Sequence, residues 1–142
     1  MFSKILVPID GSPNSIRGYK YAIDIAKKYC AEITLIHVVE KEPSMYTGPT
    51  SVPIPEKYFA EKEDLDLNLL QRRKEELESM GIKVRTILAS GNPAEEILKV
   101  SKGYDLIVIG SKGLSGIEKL LLGSVASEIL NHSSVPVLVI RQ

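Results

Sequence analysis

Residues 106–113 read Leu106-Ile107-Val108-Ile109-Gly110-Ser111-Lys112-Gly113, four apolar residues running straight into a polar, glycine-bearing turn. The apolar part does not alternate with polar residues. Strands buried on both faces have this character, as in parallel sheets covered by helices. Four further apolar, β-branched runs lie at Ile5–Ile9, Ile33–Val39, Val84–Leu88 and Val137–Ile140. Of the five, Val84–Leu88 is the least continuous. It keeps Arg85 and Thr86, which predicts a place nearer a sheet edge.

Helical patterns fill the gaps. Ile16, Tyr19, Ile23, Ala26 and Cys30 fall three and four residues apart and form one apolar stripe, which predicts a buried Cys30. Leu65, Leu69, Leu70, Leu77 and Met80 do the same in a longer helix, with Gly81 at its C-cap. Asn92-Pro93 reads as an N-cap and a first-turn proline, with Ile97, Leu98 and Val100 on the buried side. Leu121, Leu122, Val125, Ile129 and Leu130 mark the last helix. Strand and helix alternating at this spacing predict an open, doubly wound α/β sheet with helices on both faces.

The 142 residues fit one domain, 1–142, large enough to bury ~70% of its unfolded surface without staples. The formal net charge is zero, with no basic excess that would point to nucleic acid. Cys30 is the single cysteine, so an intrachain disulfide and a C-x-x-C metal spacing are both excluded. The opening apolar run stops at Asp10, too short for a signal peptide core, and no run approaches the ~20 residues that span a bilayer. The expected location is the cytoplasm, away from membranes. Lys41–Pro55 breaks the rhythm with Pro43, Gly48, Pro49, Pro53 and Pro55. A long loop of this kind is either a functional flap or a tolerated insertion. Tyr46 and Tyr58 flank it as surface or packing residues.

Open α/β sheets bind ligands beyond the carboxyl ends of their strands, where the strand order reverses. Two strand ends here are polar and contain glycine: Asp10-Gly11-Ser12, and Gly110-Ser111-Lys112-Gly113-Leu114-Ser115-Gly116. Gly123-Ser124 then opens the last helix. A helix start offers unpaired N–H groups and about half a positive charge, which suits an anion. The Ser124 hydroxyl either donates to a phosphate oxygen or caps the helix. Lys112 and Lys119 add positive charge nearby. By spacing alone, the loop reads equally as a phosphate cradle or as an ordinary turn. It is not a Walker A loop, because G-x-x-x-x-G-K-S/T is missing. No G-x-G-x-x-G follows the first strand, so it is not a dinucleotide fingerprint either.

Over nearly its whole length the chain resembles the universal stress protein family. The resemblance is carried by Lys4–Ser12, Leu35–Val38, Gly91–Ile97, Asp105–Gly113, Leu122–Ala126 and Val135–Ile140. The family's ATP-binding class is marked by G-x2-G-x9-G-S/T, and Gly110, Gly113, Gly123 and Ser124 fill that pattern. The resemblance implies a five-stranded parallel sheet of order 3-2-1-4-5, which makes Asp10 and Gly110 neighbours. It implies that Gly113, Ser124 and the Val125 amide hold phosphates. Gly110 and Asp10 would meet the ribose, and the Val38 backbone would meet the adenine. Pro8, Ile9 and Ile109 complete the expected contacts, with Lys112 given at most a phosphate contact. Magnesium would accompany ATP, held mainly by phosphates and water. The family also pairs two last strands across a two-fold axis, so Val137 and Val139 are expected at a homodimer interface.

Each of these residues has a plainer reading. Asp10 in Asp-Gly-Ser-Pro is good turn chemistry. His37 at a strand end reads as structural, and His132 as a favourable charge at a helix C-terminus. Chemistry is thinly supplied: Asp10 is the single acid the sequence places in the crevice, and phosphoryl transfer to water needs more. The leading expectation is a nucleotide-dependent sensor or adaptor with an unidentified protein partner. A slow ATPase or adenylyl-transfer enzyme is the second reading, and a structural dimer with an empty crevice the third.

Overall fold

The computed structural model describes residues 1–40, 56–112 and 122–141, with the backbone alone for 56–63. Strand and helix alternate as β1 (Lys4–Pro8), α1 (Pro13–Tyr29), β2 (Glu32–Val39), α2 (Glu56–Ser79), β3 (Val84–Ser90), α3 (Pro93–Ser101), β4 (Leu106–Gly110), α4 (Ser124–His132) and β5 (Val137–Ile140). The strands form one sheet of order β3-β2-β1-β4-β5. Every pairing is parallel, with Lys4 opposite Glu32, Ile5 opposite Leu106, Ile33 opposite Val84 and Ile107 opposite Val137. This is the order expected above. The Lys41–Pro55 stretch, Tyr46, Gly113, Gly116, Lys119, Leu121 and the Tyr58 side chain lie outside the described residues.

The period of two along each strand sorts the side chains into two cores. Ile5, Val7, Ile33, Leu35, Leu106 and Val108 point to one face, where Tyr19, Ala22 and Ala26 of α1 and Leu70 and Leu77 of α2 cover them. Leu6, Ile36, Ile107 and Ile109 point to the other, against Ile97 of α3 and Ile129 of α4. Each fully buried Ile or Leu is worth about 1.5–3 kcal/mol. That double burial is why the runs read as continuous. β3 is the exception at the edge, where each of its residues is half-buried or exposed.

Local chemistry sets the helix starts. The Ser12 hydroxyl accepts from the Ser15 N–H at 3.2 Å, ahead of Pro13. Asn92 Oδ1 accepts from the Glu95 N–H at 3.1 Å, ahead of Pro93. Both are N-caps, each satisfying a backbone donor that the helix itself leaves unpaired.

Three expectations fail, each for a geometric reason. Cys30 is exposed. Helix α1 ends at Tyr29, and Cys30 is its C-cap with φ 53°, so the helical spacing no longer carries it to the buried face. The α2 stripe is narrower than its leucines suggest: Leu65 is 70% exposed and Met80 39%. Leu65 sits roughly 140° around the helix from Leu70 at 100° per residue, and Met80 lies past the last helical residue. Helix α4 starts at Ser124, which leaves Leu122 before the helix.

Helix α1 lies very close to β4. A Cβ on Gly110 would stand 2.6 Å from the Asn14 carbonyl oxygen, and one on Gly18 would stand 3.2 Å from the Gly110 nitrogen. Backbone meets backbone at both points, so neither contact can relax by a rotamer change. At the opposite end of the sheet, Asp105 Oδ2 accepts from the Ser3 N–H at 3.0 Å, the Ser3 hydroxyl at 2.7 Å and the Lys4 N–H at 2.9 Å. These donors hold the Asp105 carboxyl below its ordinary value of 3.8, the Ser3 hydroxyl most strongly.

Two predictions follow from these contacts. Gly110→Ala should destabilise the fold by about 1–3 kcal/mol, the usual range for overpacking, read as a lower urea midpoint at unchanged slope. Asp105 has a depressed folded-state pKa, so its contribution is present above 3.8 and fades as pH falls through the lower folded value. Wild type and Asp105→Asn should therefore differ in stability at neutral pH and converge in acid, as measured by urea titrations across that range.

Candidate functional site

Beyond β1 the chain turns towards β2 and β3, and it later crosses back to lay β4 and β5 on the other side. The strand order therefore reverses between β1 and β4. A crevice opens at such a point because the two following helices leave on opposite faces. The carboxyl ends that meet there are Pro8-Ile9-Asp10 and Ile109-Gly110-Ser111.

Asp10 is fixed on several sides. Its N–H donates to the Ser15 hydroxyl at 3.0 Å, and its Oδ1 accepts from the Ser12 N–H at 2.9 Å. The second bond is an Asx turn, the local chemistry that Asp-Gly-Ser-Pro favours. The cap of α1 is Ser12, not Asp10. The preceding peptide is held too, because the Ile9 N–H donates to the Ile36 carbonyl at 2.9 Å. The half-buried carboxylate thus has a set position at the strand end.

The other wall is built around Ser111, which is buried. Its N–H donates to the Ile140 carbonyl at 2.9 Å, and its carbonyl accepts from the Gly123 N–H at 2.6 Å. The second bond brings the start of α4 to the end of β4. Asn14 Nδ2 reaches the Ser111 hydroxyl at 3.5 Å, a long contact. Asn14 Oδ1 is buried with no hydrogen-bond partner among the described residues.

Gly123 is the N-cap of α4, with Ser124 as the first helical residue. The first bond back to the cap runs from the Ser127 N–H to the Gly123 carbonyl at 3.0 Å. The Ser124, Val125 and Ala126 N–H groups therefore have no acceptor within the helix. The Ser124 side chain is exposed, and Gly123 holds the cap position, so the hydroxyl is not the cap. The helix start is a ready anion site with a hydroxyl at its mouth.

The remaining expected contacts divide between the two faces of the sheet. Val38, Ile109 and Val125 share one apolar cluster, so strand two, strand four and helix α4 converge on one side of the crevice. Ile9 points the other way, into the α1–α2 core, and offers the crevice its backbone alone. Pro8 and Lys112 are half-buried at their strand ends.

His37 makes two ring contacts whose partners were not readable in the sequence. It is buried, with Nδ1 2.8 Å from the Ile9 carbonyl and Nε2 2.9 Å from Asp66 Oδ1. Asp66 and Asn14 carried no motif. Asp66 lies 29 positions from His37, with α2 still to be placed, so no local pattern links them. Among the described residues, no group of three or more His, Cys, Asp or Glu could hold a metal ion. No described helix is long and apolar enough to cross a membrane.

Comparison with known proteins agrees with this architecture. Residues 1–141 match the Universal stress protein family. Universal stress protein YxiE of Bacillus subtilis is 37% identical, over 99% of this chain and 100% of its own length. The structure of MJ0577, a universal stress protein of Methanocaldococcus jannaschii, superposes with a TM-score of 0.86 at 30% identity, covering 100% of this chain and 97% of that one. Two more distant structures share the fold. One is a universal stress protein in complex with cAMP (TM-score 0.69, 22% identity, 99% and 97% coverage). The other is an Arabidopsis thaliana family protein with AMP bound (TM-score 0.67, 23% identity, 99% and 92% coverage). With the sheet order, the crevice and the full-length match all in agreement, the chain belongs to the universal stress protein family.

Proposed function

We propose that the crevice between β1 and β4 binds an adenine nucleotide, ATP in the first instance, and that occupancy is read by a protein partner in a cytoplasmic stress response. The observation that carries this reading is the open start of α4, clasped beside the end of β4. Three N–H groups without helical acceptors and the exposed Ser124 hydroxyl stand where an anionic group would sit. Asp10 supplies a fixed carboxylate to accept from ribose hydroxyls. Gly110 lies between them, and Val38, with Ile109 beside it, would face the base. Gly113 would add a phosphate contact, and Lys112 a positive charge. The cAMP-bound and AMP-bound proteins of the same fold give the nucleotide class further support.

Magnesium fits this donor set only as a passenger, bound to phosphates and water, since Asp10 is the one carboxylate that the described residues bring to the crevice. Turnover is not favoured, because hydrolysis needs a positioned water and more charge stabilisation than Asp10 supplies. The reading is therefore a sensor or adaptor. A switch of this kind requires ATP to bind two states of the protein with different affinity.

β5 is the last strand of the sheet and pairs with β4 on one side only. Val137, Leu138 and Val139 are half-buried along it. An apolar edge of that kind invites another strand. We place the homodimer contact there.

Three measurements test these proposals. Protein purified and then denatured should release an adenine nucleotide detectable by mass spectrometry. Mg-ATP at 100 times its Kd should stabilise the fold by about 2.7 kcal/mol, a rise of roughly 5–10 °C in Tm. The double variant Gly123→Val/Ser124→Ala should lose both signals yet remain folded, because Gly123 has φ −74°, which a valine can adopt. Neither released nucleotide nor thermal shift from the wild type would defeat the reading. Light scattering should give twice the chain mass at micromolar concentration, and a monomer would remove the β5 interface.

A further inference from the structure

His37 lies on the face of β2 opposite to Val38, so it cannot line the crevice beside the base. Its two ring contacts join three separate elements. The Ile9 carbonyl has lone pairs only, so Nδ1 must carry the hydrogen of the 2.8 Å contact. Nε2 then faces Asp66 Oδ1 at 2.9 Å, and that contact also needs a hydrogen, on the ring or on the carboxyl. The result is a largely buried line from α2, through His37 near the carboxyl end of β2, to the peptide that precedes Asp10.

Asp66 is poorly served by this arrangement. Its Oδ2 is buried with no hydrogen-bond partner among the described residues. A half-satisfied, largely buried carboxylate costs stability, and an apolar side chain would not carry that cost. The contact with His37 is what the carboxylate contributes. Helix α2 is meanwhile seated on α1, where Arg73 lies 5.3 Å from the Tyr19 ring centre and its carbonyl is 3.4 Å from the Tyr19 hydroxyl. Asp66 is two helical turns before that seat, near the middle of α2.

The Ile9 peptide is gripped from both sides: its N–H by the Ile36 carbonyl, its carbonyl by His37. Asp10 follows directly, with its N–H on the Ser15 hydroxyl and its carboxylate in the Asx turn. Rotation of the Ile9–Asp10 peptide would carry the carboxylate with it. We infer that His37 is a positioning residue, and that with Asp66 it forms a latch through which α2 sets the orientation of Asp10 for the ribose of a bound nucleotide. The ribose part of this inference rests on the nucleotide reading above. The latch itself rests on the hydrogen bonds alone.

The test uses Asp66→Leu, with Asp66→Ala as a second variant should the leucine variant fail to fold; both remove the hydrogen-bond partner of His37. Affinities for ATP and for 2′,3′-dideoxy-ATP are measured by calorimetry, and the Asp10 and Gly11 amide resonances are recorded without nucleotide. A hydrogen bond to a charged group predicts that the wild type prefers ATP by at least about tenfold. In the variant that preference should fall to about twofold, while dideoxy-ATP binds within about twofold of its wild-type affinity. The two amide resonances should move. A variant that is folded and stable yet keeps the tenfold preference overturns the inference, since a merely structural role leaves ribose selection intact. If the wild type binds neither nucleotide, the crevice reading fails by itself. The amides then decide the latch: shifted resonances support it, and unmoved ones overturn it.

Discussion

Helix α1 rests so close to the end of β4 that one methyl group on Gly110 would overlap the Asn14 carbonyl. Most of the crevice depends on that approach. It carries the β1–α1 turn across the switch point and sets Asp10 beside Gly110 and Ser111. Ser111 in turn anchors Gly123, so the start of α4 is referenced to the same spot. A side chain at Gly110 would push on backbone, and the displacement would reach both walls of the site. Interiors packed at crystal density pass on such shifts rather than absorb them. The glycine is thus needed for packing before any ligand arrives, which adds a second reason to the one suggested by ligand proximity.

The polar part of the site is economical. Backbone groups do much of the work, with the free N–H groups of α4 on one side and the Asx turn on the other. Side chains tune that frame. Ser12 and Ser15 hold the turn, Ser124 stands at the helix mouth, and His37 grips the peptide behind Asp10. Such a frame is preorganised, and a ligand spends little of its binding energy on ordering it. Among the described residues, the polar groups brought to this spot are the open N–H groups of α4 and the Asp10 carboxylate held in its turn.

Much of this was legible in the chain because it is local. Unbroken apolar runs such as Leu106–Ile109 announce strands covered on both faces, and Ser12-Pro13 and Asn92-Pro93 announce helix starts. The glycine spacing from Gly110 to Ser124 marked the crevice, and it proved to bracket a strand end and a helix start. What was not legible is what depends on where a helix ends or sits. Cys30 follows the stripe of α1 by spacing, but the helix stops one residue earlier and the cap turns it outward. Leu65 looks apolar and periodic, yet α2 crosses near the sheet edge and leaves that flank uncovered. Asp66 reads as one more charge on a charged helix. Its burial against His37 exists only once α2 is laid over β2, a tertiary fact without a local signature.

The backbone bond between Ser111 and Gly123 has a consequence for how such a chain can vary. It staples the two stems of the 112–122 segment at their bases, so both anchor points are set by the sheet and by α4. Donor and acceptor are both main-chain groups, so the bond does not depend on which side chain stands at either position. What the chain must keep is the register of β4 against β5 and the backbone angle that starts α4, because these bring the two groups within reach. The meeting of strand end and helix start is thus written in backbone geometry, and it survives exchanges of side chain that leave that geometry alone.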